Sequence, residues 1–177
     1  RRETLRRALR AAKNLTTAIV FCNRKRDVST LHRSLQRHGF DAGALHGDLD
    51  QRERMATLAK FRAGELNLLI ASDVAARGLD IPAVSHVFNF DVPTHAEDYI
   101  HRIGRTGRAG REGDAITIVT SADRKYLGSI AKLIGKSIPT RDSARAPVAS
   151  DKSPAHSLAR DPTDRDHAPL PRETATA

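Results

Sequence analysis

Ala18-Ile19-Val20-Phe21-Cys22, then Asn23-Arg24, then Lys25 to His38, is the stretch whose reading decides the fold. The first five residues form a short apolar run, β-branched in its middle, as expected of a buried parallel strand. The segment from Lys25 is helical in period, with Val28, Leu31 and Leu35 at core spacing, and Gly39 stops it. The same alternation extends in both directions. Upstream, Glu3 to Lys13 reads as a helix with Leu5, Leu9 and Ala12 on one face. Downstream, strands over 42–45, 68–71, 84–90 and 115–119 alternate with helices over 51–61, 97–103 and 122–134, the helix 51–61 with Met55, Leu58 and Phe61 inward. Short strands separated by longer helices imply βαβ crossovers. The fold class is therefore α/β, a parallel sheet with helices on both faces. Ligands of such sheets meet the loops at the carboxyl ends of the strands. Asn23-Arg24-Lys25, His46-Gly47-Asp48 and Ser72 to Asp80 all follow strands; His101 to Gly110 follows a helix and is the exception.

The alternation stops at Ile138. Beyond it Pro139, Pro147, Pro154, Pro162, Pro169 and Pro171 break any period, and Val148, Leu158 and Leu170 are the sole large aliphatics. Such a stretch cannot bury enough apolar area to offset its ordering entropy. Two regions are expected: a folded domain over 1–138 and a disordered, proline-rich charged tail over 139–177.

The chain has 177 residues, enough for one domain with a real core. Trp is absent and aromatics are scarce, so aliphatic side chains must build that core. No apolar run reaches membrane-spanning length and no signal peptide is legible, so no membrane partner is expected. Cys22 is the single cysteine, which leaves no disulfide framework and fits a reducing, cytoplasmic setting. Arg1 falls within helical sequence, which reads as a start inside a longer product. The net charge is +9, and the tail from Thr140 holds six Lys/Arg against six Asp/Glu, so the excess belongs to the folded part. A compact basic domain attracts polyanions.

Two segments carry chemistry. In His101-Arg102-Ile103-Gly104-Arg105-Thr106-Gly107-Arg108-Ala109-Gly110, three glycines interrupt the arginines. A helix interior would lose about 1 kcal/mol at each Gly, so this is a helix end running into a loop. Arg105 and Arg108 are about one turn apart and can converge on one anion, for which forked guanidinium groups are suited. Taken alone, the same residues also fit a basic surface loop. In Ala71-Ser72-Asp73-Val74-Ala75-Ala76-Arg77-Gly78-Leu79-Asp80-Ile81-Pro82, Ser72 or Asp73 can cap a short helical turn, and Asp80 can accept hydrogen bonds from sugar hydroxyls. Plain capping plus a turn would also account for this stretch. His32 and His38 read as solvated and His86 and His95 as isolated; none has metal-ligand spacing, so no metal site is expected. Arg33, Arg37, Arg52 and Arg62 read as solvated helix faces.

His-Arg-x-Gly-Arg-x-x-Arg together with Ser-Asp-x-Ala-Ala-Arg-Gly-x-Asp resembles the last two motifs of DEAD-box ATP-dependent RNA helicases. Ile19-Val20-Phe21-Cys22-Asn23, Leu45-His46-Gly47-Asp48 and Gln51-x-x-Arg54 resemble upstream stations of the second, C-terminal lobe of that family, in matching order over nearly all of 1–138. The resemblance implies a RecA-like fold and a role for each matching residue. Arg105 and Arg108 would reach the ATP γ-phosphate as catalytic arginine fingers, Arg108 foremost. Gly78 and Asp80 would hold the ribose end of ATP. Arg77, His101 and Arg102 would couple the two lobes. Asn23, Arg24, Gly47, Gln51, Arg54, Ser72 and Asp73 would line the RNA, mostly by phosphate and ribose contacts. Ser72 stands where the family usually has Thr, which keeps the hydroxyl. The chain has neither a Gly-x-x-x-x-Gly-Lys-Ser/Thr phosphate loop nor Asp-Glu-Ala-Asp. The family places both on an N-terminal lobe, which would hold Mg²⁺, so this lobe alone is expected not to hydrolyse ATP. A stand-alone RNA-binding or adaptor module is the rival. A metabolic nucleotide-binding enzyme lacks its Gly-x-Gly-x-x-Gly after the first strand.

Overall fold

The structure is a computed structural model and describes residues 1–107, 112–141 and 172–176. In chain order the elements are α1 (Arg2–Ala11), β1 (Ala18–Cys22), α2 (Lys25–Arg37), β2 (Ala42–Leu45), α3 (Gln51–Arg62), β3 (Leu68–Ser72), α4 (Asp73–Ala76), β4 (His86–Asn89), α5 (Ala96–Ile103), β5 (Asp114–Ile118), α6 (Arg124–Ile134), β6 (Thr140–Arg141) and β7 (Arg172–Thr176). They form one sheet in the order β2-β3-β1-β4-β5-β7-β6, and every pairing is parallel. The expected α/β class and its RecA-like sheet are what the chain adopts.

The central strands show why. All five residues of β1 are buried. Ala18, Val20 and Cys22 pack on one face with Leu5 and Leu9 of α1 and with Val28, Leu31 and Leu35 of α2. Ile19 and Phe21 pack on the other with Leu58 and Phe61 of α3 and Ala75 and Ala76 of α4. Side chains alternate across a strand, so a continuous apolar run serves two cores at once. β3, in register with β1 from Ala18↔Leu68 to Cys22↔Ser72, divides its residues in the same way. A third cluster joins Val92, Tyr99, Ile103, Ala115, Val119, Ile130 and Ile138 beneath α5 and α6. Burial pushes the Cys22 thiol up, which suits an unreactive core residue.

Four expectations need correction. Met55 is exposed, not inward: on α3 the inward stripe is Arg54, Leu58 and Phe61, because Arg54 donates to the Ala75 carbonyl at 2.9 Å and that rotates Met55 out. His32 is half-buried, its Nε2 2.8 Å from the Ala42 carbonyl oxygen. His86 is buried rather than isolated, against Asp114 and the Ser85 hydroxyl. Neither Ser72 nor Asp73 caps α4 with its side chain, because Asp73 faces Arg102. Residues 142–171, most of the tail expected to be disordered, lie outside the described residues. Thr140–Arg141 and Arg172–Thr176, inside that stretch, pair as strands beyond β5. The bare edge of β5 offers unpaired N–H and C=O groups to any nearby segment.

α3 begins with a reciprocal cap: the Glu53 N–H donates to Asp50 at 2.7 Å and the Asp50 N–H to Glu53 at 3.1 Å. Beneath this helix, Gly43 of β2 leaves no room for a methyl group, which would meet Thr57 Cγ2 at 2.7 Å and Leu66 Cδ1 at 2.8 Å. Gly43→Ala is expected to cost about 1–3 kcal/mol by overpacking, read as a lowered midpoint in urea with an unchanged slope.

Burial is the main influence on His86 and pulls its imidazole below the ordinary value of 6.5, against the opposing pull of Asp114. The unfolded chain therefore takes up this proton first as pH falls. The His86 contribution is complete above pH 6.5 and is lost as pH drops through that value toward the folded pKa. Stability measured between pH 7.5 and 5 should fall less steeply in His86→Gln than in the parent; equal slopes would remove His86 from the account.

Candidate nucleotide and RNA site

Arg102 is 1% exposed, yet a guanidinium cannot shed its charge. It lies on α5 with all five N–H donors engaged. Nε and Nη2 donate to the two carboxylate oxygens of Asp73 at 2.7 and 2.6 Å. Nη2 also donates to Asn23 Oδ1 at 2.7 Å. Nη1 donates to the Asp91 carbonyl at 2.7 Å and to Asn89 Oδ1 at 3.3 Å. The plane lies over the Phe21 ring at 5.3 Å. The partners come from the loops or last residues of β1, β3 and β4, so one side chain on α5 ties together the carboxyl ends of the central strands.

A second arginine closes this edge. Arg1 pairs with Asp91 and Asp123 and donates to the Thr120 hydroxyl at 3.2 Å. Asp91 in turn accepts the Asn23 N–H at 3.1 Å, so the start of α1 is linked to the Arg102 network. Burial alone would raise the Asp123 carboxyl; the Thr120 hydroxyl and N–H, together with Arg1, outweigh it and hold that group below the usual carboxylate range.

The candidate residues fall into three sets. Asp73, Arg77, His101, Arg102 and Arg105 line one cleft with Phe21, Ala76 and Asp98. Asp98, His101, Arg102 and Arg105 recur at three, four and seven residues, one face of α5 continued past its end. Arg77 is exposed and pairs with Asp98. His101 is exposed and Arg105 half-buried. The loop carrying Arg105 is pinned to the start of β4: its carbonyl accepts the Val84 N–H at 3.0 Å, and the Thr106 hydroxyl donates to the Val84 carbonyl at 2.6 Å. Gly104 follows α5 as its cap, and Gly107 has φ of 67°, a left-handed turn that glycine adopts without strain. Arg108 lies outside the described residues.

The second set is Gly78 and Asp80. Gly78 has φ of 72°. Asp80 is exposed and accepts from Arg62 of α3 at 3.1 Å on its carboxylate and also on its carbonyl; Arg62, read from sequence as solvated, anchors this loop. The third set is the RNA candidates. Arg24, Gly47 and Gln51 are exposed. Arg54 is half-buried, donating to Gln51 Oε1 at 3.3 Å and to Ala75, with its Nε buried and without a partner. Ser72 is 7% exposed. The Asn23 amide is committed inward, its Nδ2 donating to the Val92 carbonyl at 2.9 Å. Asn89, Asp91 and Arg1 were missed by sequence reasoning. A buried Asn at the end of the apolar run His86 to Phe90 was the available signal.

Replacing Arg102 would take the donor from a half-buried Asp73 and from the side-chain oxygens of Asn23 and Asn89. Arg102→Ala is expected to destabilise the domain by about 3–5 kcal/mol. Arg102→Lys, with three donors for five acceptors, should recover less than half of that loss, as read by chemical denaturation.

Residues 1–110 match the family described as Helicase conserved C-terminal domain. The chain is similar to the ATP-dependent RNA helicase CshA of Listeria monocytogenes, 49% identical over 134 residues, covering 73% of this chain and 26% of that protein. It is similar to the DEAD-box ATP-dependent RNA helicase RhpA of Helicobacter pylori, 49% identical over 121 residues, with 68% and 25% covered. It thus spans about a quarter of the length of these curated relatives. Among solved structures it resembles the E. coli DEAD-box protein SrmB bound to the regulator of ribonuclease activity RraA, with a TM-score of 0.73, 40% identity and coverage of 79% of this chain and 83% of that one. It also resembles S. cerevisiae Dbp5 bound to RNA and ADP BeF3, with a TM-score of 0.70, 36% identity and 78% and 38% covered. The chain belongs to the helicase conserved C-terminal domain family and is the C-terminal lobe of a DEAD-box helicase.

Proposed function

We propose that this lobe completes the ATP site of a two-lobed, ATP-dependent RNA helicase and binds RNA by its phosphates and riboses. The observation that supports this reading best is the cleft along α5, where Arg77, His101 and Arg105 gather over the buried Arg102–Asp73 pair. Cations are collected there, and the sequence supplies no phosphate loop to go with them. Such a surface suits a triphosphate held by a neighbouring lobe.

In this reading Arg105 and Arg108 approach the γ-phosphate and stabilise the charge that develops as it leaves, a contribution of about 10³–10⁵ in rate. Gly78 and Asp80 take the ribose end, with Arg62 orienting Asp80. Any Mg²⁺ bound with ATP belongs to the preceding lobe. Arg77 and His101 meet that lobe directly. Arg102 couples them from within, as a positioning residue: its donors hold Asn23 and Asp73, so a shift at the nucleotide cleft is felt where RNA binds. Arg24, Gly47 and Gln51 give the exposed RNA-facing edge, with the half-buried Arg54 beside it and Ser72 beneath it. Closure of the two lobes on ATP and RNA bends one strand out of a short duplex, and hydrolysis lets them reopen. The setting is the cytoplasm, where Cys22 stays reduced. Among the described residues no helix is long and apolar enough to cross a membrane.

In the complete enzyme, Arg108→Ala is expected to leave RNA affinity within about twofold while lowering RNA-stimulated ATP turnover by roughly 10³. Arg105→Ala should act in the same direction. Unchanged turnover in both variants would contradict the assignment, and binding of RNA by the isolated lobe as tightly as by the whole enzyme would favour a stand-alone module.

A further inference from the structure

The site leaves a second concentration of charge unused. α1 carries Arg2, Arg6, Arg7 and Arg10 against one acid, Glu3, and Glu3 is committed to Arg6. α2 carries Lys25, Arg26, Arg33 and Arg37 against Asp27 alone. The two helices cover the same face of the sheet, with Leu5, Leu9, Val28, Leu31 and Leu35 in one core. Arg6 Nη1 lies 3.4 Å from His38 Nδ1, and Arg10 sits over the Phe40 ring at 5.7 Å, so α1 runs beside the end of α2.

On α2 the exposed residues Arg26, Arg33 and Arg37 recur at seven and four residues and form one stripe. Among the described residues none of the three has an ion-pair partner. The stripe starts beside Arg24, the residue that caps α2 at the carboxyl end of β1, and runs about 16 Å along the helix at 1.5 Å per residue. Unpaired like charges one turn apart weaken a helix, so folding gives no reason to keep them. A polyanion does, and guanidinium forks suit its phosphate oxygens. Phe40 lies half-buried under Arg10, so stacking on bases is not what this face offers. Its chemistry is that of backbone contact.

We propose that the α1–α2 face is a second RNA-binding surface, which takes the phosphate backbone of the same strand after it passes Asn23 and Arg24. The proposal rests on the helicase reading above and extends it by a track that lengthens the footprint without reading sequence.

The test uses the complete two-lobed enzyme and oligouridylates of two lengths, one spanning only the cleft and one several times longer. In the double variant Arg33→Glu/Arg37→Glu, the Kd for the long RNA should rise about tenfold at low salt. The slope of log K against log salt should shrink by about two, one for each lost phosphate contact. Affinity for the short RNA and turnover at saturating RNA should be unchanged. The matched double variant Lys132→Glu/Lys136→Glu, exposed positions at the end of α6 and just after it, should bind both RNAs as the parent does. Equal losses in the two double variants would reduce the effect to overall charge and overturn the proposal, as would no loss on the long RNA. A parent enzyme that fails to bind even the short RNA would instead overturn the helicase reading beneath it.

Discussion

A permanently charged guanidinium sits where water does not reach, and the architecture around Arg102 answers that cost. Burying an ion without partners is prohibitive, while burying it with every donor satisfied is tolerable. Asp73 supplies the opposite charge in a two-pronged geometry; Asn23, Asn89 and the Asp91 carbonyl take the remaining donors. These acceptors sit at the carboxyl ends of three central strands or just beyond them: Asn23 after β1, Asp73 after β3, and Asn89 and Asp91 at the end of β4. The strands must therefore end in the right register for the arginine to be satisfied. A parallel sheet with strands in the order β3-β1-β4 brings those ends side by side. The cleft inherits its shape from this requirement, because His101 is carried on the same helix as Arg102, Arg105 on the loop that follows that helix, and Arg77 just after the short helix that begins at Asp73.

The arginines of one sequence motif thus divide by burial into different kinds of work. Arg102 faces inward and sets distances. Arg105 faces the cleft, half-buried, on a backbone held by Val84 and Thr106. In the proposed function, fixing the backbone of a residue that would approach a phosphate lowers the ordering cost at the moment of reaction. The glycine at 107 adopts a left-handed conformation without strain. Asp80 follows a related logic: a carboxylate in open solvent has no preferred direction until Arg62 gives it one.

Much of this was legible in the chain itself. β1 and β3 are continuous apolar runs, and only a strand covered on both faces uses such a run fully. Leu5 with Leu9, and Val28 with Leu31 and Leu35, mark their helices by spacing alone. Met55 was misplaced because a period of three fits 55, 58 and 61 as well as the true stripe fits 54, 58 and 61. A long polar side chain that buries its stem defeats any rule that counts Arg54 as outside. His86 and His32 were misread for a similar reason, since a lone histidine carries no local sign of the carbonyl or carboxylate it will meet. The Arg102 network was invisible as a network. Its partners lie 11 to 79 residues away in sequence, and no local pattern encodes such distances. The strand from Arg172 to Thr176 was missed because edge pairing needs only a free backbone.

The central claim is that Arg102 is an internal fastener with every donor engaged. Nitrogen NMR of its side chain in the folded domain tests this directly. The account predicts separate, slowly exchanging resonances for the individual Nη protons, with restricted rotation about the Cζ–N bonds. A single averaged signal exchanging with water as fast as that of a surface arginine would contradict it.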